Sequence, residues 1–163
     1  GGPAAGPRAF AAHVRYPPVG ARSFGPTRVM QLAARTDPEA HLAAAGHETL
    51  ALVMIETRAA LEALDDILAV PGIDGVLVGP SDLSLSLTGG RLEPESPETT
   101  AALARIAERA RHHGRLACAY GSSPERARTL FGLGFHLASL GYDCDAIRQA
   151  MTRLTEAARR PPA

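Results

Sequence analysis

Four short apolar runs, each followed by a stretch with helical spacing, limit this chain to very few architectures. The runs are Leu50 to Ile55, Gly75 to Gly79, Arg115 to Tyr120 and Phe135 to Leu140. None shows the clean apolar–polar alternation of a half-exposed strand, so each predicts a strand covered on both faces. After the first run, Ala60, Leu61, Leu64, Ile67 and Leu68 recur at helical spacing and predict one helix from Thr57 to Val70. Pro97 to His113, closed by Gly114, predicts a second, and Ser123-Pro124 opens a third. A long final helix follows from Asp143 to Arg159. Alternation of this kind implies an α/β fold with a parallel sheet and right-handed crossovers. About four βα units result, which fits half an α/β barrel or a small open sheet. A closed eight-stranded barrel takes about 250 residues, and this chain has 163.

The regular region is preceded by less regular sequence. Residues 1–7, made only of Gly, Pro and Ala, are expected to form a disordered lead, residues 8–160 the domain, and residues 161–163 a tail. A short helix over Arg8 to Val14 should stop at Tyr16-Pro17-Pro18. Another helix is expected from near Pro26, and one more from Asp37-Pro38, an N-cap and N1 pair, to about Gly46.

Composition closes off several functions. Seventeen basic and seventeen acidic residues give a formal net charge of zero, so there is no basic field to attract nucleic acid or an anionic membrane. Aromatic residues make up 4%, with no Trp, too few for a base-stacking platform. No apolar run approaches the roughly 18 residues of a membrane span, and no secretory leader is visible at the start. A cytoplasmic location is expected. Cys118 and Cys144 lack a CxxC pattern and read as free thiols. Dinucleotide, P-loop and nucleophile-elbow motifs are missing from the sequence.

In parallel α/β folds, functional groups gather at the carboxyl ends of the strands. Glu56 directly follows the first apolar run, and Asp82 comes three residues after the second, in Gly79-Pro80-Ser81-Asp82. If those strands are neighbours, both carboxylates overhang one rim. Adjacent carboxylates repel unless a proton or a cation intervenes. A hard cation such as Mg2+ or Mn2+ suits them, with open positions for a chelating 2-oxo acid. The same residues also fit structural use, Glu56 as an acid favoured at a helix start and Asp82 as an N-cap or turn residue. His13, His47, His112 and His113 are expected to be solvated, His136 to be hydrogen-bonded in the core, and Cys118 to be inert.

Three segments decide between those readings. Arg15-Tyr16-Pro17-Pro18-Val19-Gly20-Ala21-Arg22 resembles the R-Y-P-P-x-G-x-R segment of the HpcH/HpaI aldolase/citrate lyase family. Met54-Ile55-Glu56-Thr57 looks like that family's Q-I-E-T. The run from Ile73 to Ser84 is similar to its long signature G-[IV]-D-G-x-x-x-G-P-x-D-L-S.

The resemblance implies the C-terminal half of a (β/α)8 TIM barrel of phosphoenolpyruvate/pyruvate type. It also implies a metal-dependent carbon–carbon lyase that cleaves a 4-hydroxy-2-oxo acid or related acyl compound through a pyruvate enolate. Carried over, Glu56 and Asp82 would ligate Mg2+ or Mn2+. Gly79, Ser81 and Asp82 would form the turn whose amides hold the carboxylate of a small 2-oxo acid such as pyruvate. The resemblance further implies a homo-oligomer assembled through the last helix, or completion by a separate N-terminal half. Two departures stand out. Met54 replaces the family's Gln and cannot donate its hydrogen bond. The family's acid/base His and enolate-stabilising Arg fall on earlier strands, so no catalytic residue is expected within this chain. It should therefore bind metal weakly and turn over poorly or not at all. An assembly domain without catalysis is the alternative.

Overall fold

The computed structural model describes residues 4–159. Helix α1 spans Ala5–Val14, followed by α2 (Thr27–Leu32) and α3 (Pro38–Glu48). The regular part then runs β1 (Leu52–Ile55), α4 (Arg58–Glu62), α5 (Leu64–Leu68), β2 (Gly75–Val78), α6 (Pro80–Leu87) and α7 (Pro97–His112). It ends with β3 (Leu116–Ala119), α8 (Pro124–Gly132), β4 (Leu137–Ala138) and α9 (Asp143–Arg159). The four strands form one parallel sheet in the order β1-β2-β3-β4. The α/β architecture of four parallel strands is thus as expected.

Several local expectations are corrected. The lead was expected to end at Pro7, but α1 begins at Ala5. Pro7 falls in the first turn, where its missing N–H has no intrahelical partner to lose. Residues 1–3 of that lead, and the tail at 161–163, lie outside the described residues. The single helix expected over Thr57–Val70 is two, because Ala63 leaves the helical region (φ −87°, ψ 10°). No glycine or proline marks that break. The Gly79-Pro80-Ser81-Asp82 stretch, expected as a turn, instead opens helix α6, and no helix was expected over Pro80–Leu87.

The sheet's two faces differ. Val53, Ile55, Val76, Val78, Ala117 and Ala119 point to the side covered by helices and join Leu64, Leu68, Leu83, Leu103, Ile106 and Leu130 in one core. Leu52, Met54, Leu77, Leu116 and Leu137 point to the other side and are half-buried or exposed. The strands were expected to be covered on both faces; within the described residues only the helix side is.

Polar contacts anchor the sheet at its amino end. Asp74, inside the long signature, accepts from Ala51 N–H at 2.6 Å and from the Arg15 guanidinium at 2.7 Å. Arg15 also donates to the Thr49 carbonyl. This stitches the end of α1 to the starts of β1 and β2. Gly75 opens β2 because a Cβ there would collide with the Leu116 carbonyl. The acid of the signature that precedes the strand therefore serves the fold, and the acid that follows it faces the opposite rim.

Candidate metal and oxo-acid site

Ile55, Val78 and Ala119 are in register across β1, β2 and β3. Their side chains enter the helix-covered core, so the next residues, Glu56, Gly79 and Tyr120, turn to the open face. These three form a row across the carboxyl rim and line an open pocket of about 560 Å³. Its walls are mainly apolar, with Met54, Leu77 and Leu137 among them; Ser81, Asp82, Ser139 and Tyr142 add polar groups.

Glu56 crosses this rim over a glycine. A Cβ on Gly79 would stand 2.5 Å from Glu56 Oε1, so the missing side chain leaves the space through which the carboxylate passes. Gly79 is also the N-cap of α6, with Pro80 in the first turn and Asp82 as its first-turn acid. The N-terminus of an eight-residue helix thus starts at the glycine over which Glu56 passes. Neither acid is a helix cap, but Glu56 directly precedes the cap of α4 and Asp82 lies in the first turn of α6, positions where the helix dipole favours an acid. Thr57, not Glu56, caps α4, accepting from Ala60 N–H, and Asp82 lies inside α6, not at its cap.

Side-chain hydrogen bonds fix α6 in place. The buried Ser84 hydroxyl donates to the Ser81 carbonyl at 2.7 Å and accepts from Glu93 N–H. Arg58 N–H donates to Ser86 Oγ, and its guanidinium donates to the Leu87 carbonyl. The last serine of the signature thereby shapes the turn that carries Ser81 and Asp82, and α4 holds the far end of the helix.

Two tyrosines and a serine in the pocket were not singled out from sequence. Tyr120 directly follows β3, and its ring centroid lies 5.3 Å from that of Tyr142. Its hydroxyl is buried with no hydrogen-bond partner among the described residues. Burial, and the Tyr142 phenol beside it, push the Tyr120 phenol up to about 12. Ser139 is occupied structurally, donating to the Gly121 carbonyl and accepting from Gly121 N–H. The apolar runs read from sequence, Arg115 to Tyr120 and Phe135 to Leu140, take in Tyr120 and Ser139 as strand residues. The strands end earlier, at Ala119 and Ala138, which places both residues just past them.

The other candidates stay outside the pocket. His136 Nδ1 accepts from Ala117 N–H, as expected of a hydrogen-bonded strand residue, although its side chain is exposed rather than buried. His113, expected to be solvated, contacts Asp65 at 2.9 Å. His41, buried against Tyr16, is a further histidine away from the rim. Burial raises the Cys118 thiol, which disfavours the reactive thiolate.

Two residues lining the pocket, Glu56 and Asp82, carry carboxylates, the donor type a hard divalent cation takes. Among the described residues no group of three or more His, Cys, Asp or Glu side chains comes together. A two-carboxylate set with open positions for ligand oxygens and water is the pattern Mg2+ and Mn2+ accept, whereas structural zinc takes four protein ligands.

A parallel α/β sheet with a pocket at its carboxyl rim places the chain among the α/β folds, open or barrel-forming, that bind ligands at that rim. Sequence and structure comparisons narrow that group. The profile of the HpcH/HpaI aldolase/citrate lyase family matches residues 5–150, and the chain belongs to that family. It is 36% identical over 151 residues to a hydroxypyruvate/pyruvate aldolase of Rhizorhabdus wittichii, covering 92% of this chain and 59% of the relative. It is also 36% identical to a 2-keto-3-deoxy-L-rhamnonate aldolase of Klebsiella pneumoniae, covering 85% of this chain and 51% of that one. A family protein from Burkholderia cenocepacia superposes with a TM-score of 0.74 at 23% identity, over 93% of this chain and 60% of its own. The chain thus spans between half and three fifths of the length of these relatives. No helix among the described residues is long and apolar enough to cross a membrane.

Proposed function

We propose that this chain supplies the metal- and oxo-acid-binding rim of a divalent-metal-dependent carbon–carbon lyase of aldolase type. The reading is carried by the Glu56 carboxylate lying over Gly79 in the pocket that Asp82 also lines. Glu56 and Asp82 would hold Mg2+ or Mn2+. The amides around Ser81 and Asp82, at the start of α6, would hold the carboxylate of pyruvate or a close 2-oxo acid. When bound, the cation acts as a Lewis acid toward the ketone oxygen. Aldolase names among the relatives support pyruvate or hydroxypyruvate as the nucleophile fragment, released from a 4-hydroxy-2-oxo acid.

The remaining chemistry would come from the part of the relatives' length that this chain does not span. The family's acid/base His and its Arg belong there, so the chain by itself should show no robust turnover. Assembly through α9 belongs to the same proposal. No residue of that helix is buried, yet Ile147, Met151 and Leu154 form an apolar stripe at helical spacing.

Binding of Mn2+, read by electron paramagnetic resonance, tests the reading. Glu56→Gln and Asp82→Asn should each weaken Mn2+ by about tenfold or more, since each removes a charged oxygen ligand. Unchanged affinity in both variants would overturn the assignment.

A further inference from the structure

We propose that Tyr120 is a specificity-determining residue: its hydroxyl donates a hydrogen bond to an oxygen on the ligand chain beyond the chelated 2-oxo acid. The inference rests on the oxo-acid reading of the rim and names the kind of substrate it selects, a 2-oxo acid hydroxylated further along its chain.

Position comes first. Glu56 and Tyr120 flank Gly79 in a register row, one strand to either side. Tyr120 N–H donates to the Val78 carbonyl at 3.0 Å, which fixes the backbone at the strand end. Neighbouring strands lie about 4.8 Å apart, so the two backbones stand roughly 10 Å apart across the rim. A cation near Glu56 and Asp82 takes the carboxylate and ketone oxygens at one end of a ligand. The side chain on β3 meets what extends from the other end.

Chemistry comes second. Ser139 spends its hydroxyl on Gly121, and the walls nearby are Leu77, Leu137 and Ala138. The Tyr142 phenol lies beside it and the walls beyond are apolar; the Tyr120 hydroxyl is buried and makes no hydrogen bond of good geometry among the described residues. A buried donor without an acceptor is unfavourable, and an arriving oxygen removes that penalty. A ligand with only methylenes at this place leaves the penalty standing. Because the phenol is held up to about 12, it keeps its proton and donates at any working pH.

The test uses the whole chain saturated with Mn2+ and two acids that differ by one hydroxyl, 4-hydroxy-2-oxopentanoate and 2-oxopentanoate. Calorimetry gives the affinity of each for the native chain and for Tyr120→Phe, which deletes only the oxygen. The native chain should prefer the hydroxylated acid. Tyr120→Phe should weaken that acid by about 3- to 10-fold, the range of a neutral hydrogen bond. It should leave 2-oxopentanoate within about twofold, as expected for a pairwise interaction, leave Mn2+ affinity unchanged, and not lower the thermal midpoint, since an unpartnered buried hydroxyl has been removed. Equal weakening of both acids, or no weakening of either, would overturn the role of Tyr120 while leaving the oxo-acid site intact. Failure of the Mn2+-loaded native chain to bind either acid would overturn both.

Discussion

The two faces of the sheet are made of similar residues yet meet different surroundings. On the helix side Ile55, Val76, Val78, Ala117 and Ala119 are at most 2% exposed. On the other side Met54 is 46% and Leu137 55% exposed, with Leu52, Leu77 and Leu116 between. Cys118 is the exception, small and flanked in register by Leu77 and Leu137. A continuous apolar run shows that both faces of a strand favour burial. It does not show that the same stretch of chain provides both covers. In a closed barrel, inward side chains fill layers supplied by strands all around the ring, and here four strands are present. One face builds the fold, and the other carries the pocket.

Removing side chains from each face should separate these roles. Ile106→Ala, at a fully buried position of α7, should cost about 2–5 kcal/mol, the usual price of a core cavity. Leu77→Ala, on the open face, should cost about 1 kcal/mol or less, because it returns little apolar area to water. Urea unfolding of both variants reads the difference. Equal costs would break the comparison and show that the open face is covered in solution.

Gly79→Ala carries the comparison to the rim. The new Cβ meets Glu56 Oε1, the mobile end of a side chain, and not backbone. Stability should shift by less than about 1 kcal/mol, while Mn2+ affinity should fall about tenfold because the carboxylate is displaced. In a Glu56→Gln background the same change should add almost nothing, since the two act through one group. Additive losses would show that Gly79 acts on the site by another route.

How much of this could be read in the sequence follows from the length scale of each signal. The strands follow from apolar runs, and Glu56 and Asp82 from positions one and three residues past the first two runs. The runs leave open whether these strands are neighbours, which the sheet order settles. Helix α6 was missed because Pro80, a good first-turn residue, was read with Gly79 as a turn, and Ser84 and Ser86 masked the buried Leu83 and Leu87. The separate duties of Asp74 and Asp82 lie in tertiary contacts, since Arg15 reaches Asp74 across 59 residues of sequence. Tyr120 was legible as the last residue of the third apolar run, one place short of the rule that found Glu56. Its significance was not, because an unpartnered hydroxyl is visible only once its neighbours are placed.

Met54 sharpens the comparison from the open side. It lines the pocket and is exposed enough that a polar side chain costs little there. Met54→Gln should change stability by no more than about 0.5 kcal/mol. It should tighten binding of pyruvate to the Mn2+-loaded chain by about 3- to 10-fold, through one added hydrogen bond. Weaker binding would show that the thioether, not a missing donor, shapes the contact.

The smallest effect belongs to the outer layer, where Asp65 on α5 accepts from Arg109 Nε at 2.7 Å and contacts His113 at 2.9 Å, both at the end of α7. The Arg109 hydrogen bond, followed by that of His113, holds the Asp65 carboxyl below its usual range against a small opposing effect of burial. A carboxylate with a lowered folded-state pKa contributes stability above its unfolded value, near 3.9, and loses it as pH falls through the lower folded value. Asp65 is 51% exposed, so solvent limits the contribution to roughly 0.5 kcal/mol. Thermal melts of the native chain and Asp65→Asn should therefore differ slightly at pH 7 and converge as pH falls below the usual carboxylate range. A gap that persists in acid would assign the contact to packing between α5 and α7 instead of charge, and the helix-covered face would then owe nothing measurable to its ion pairs.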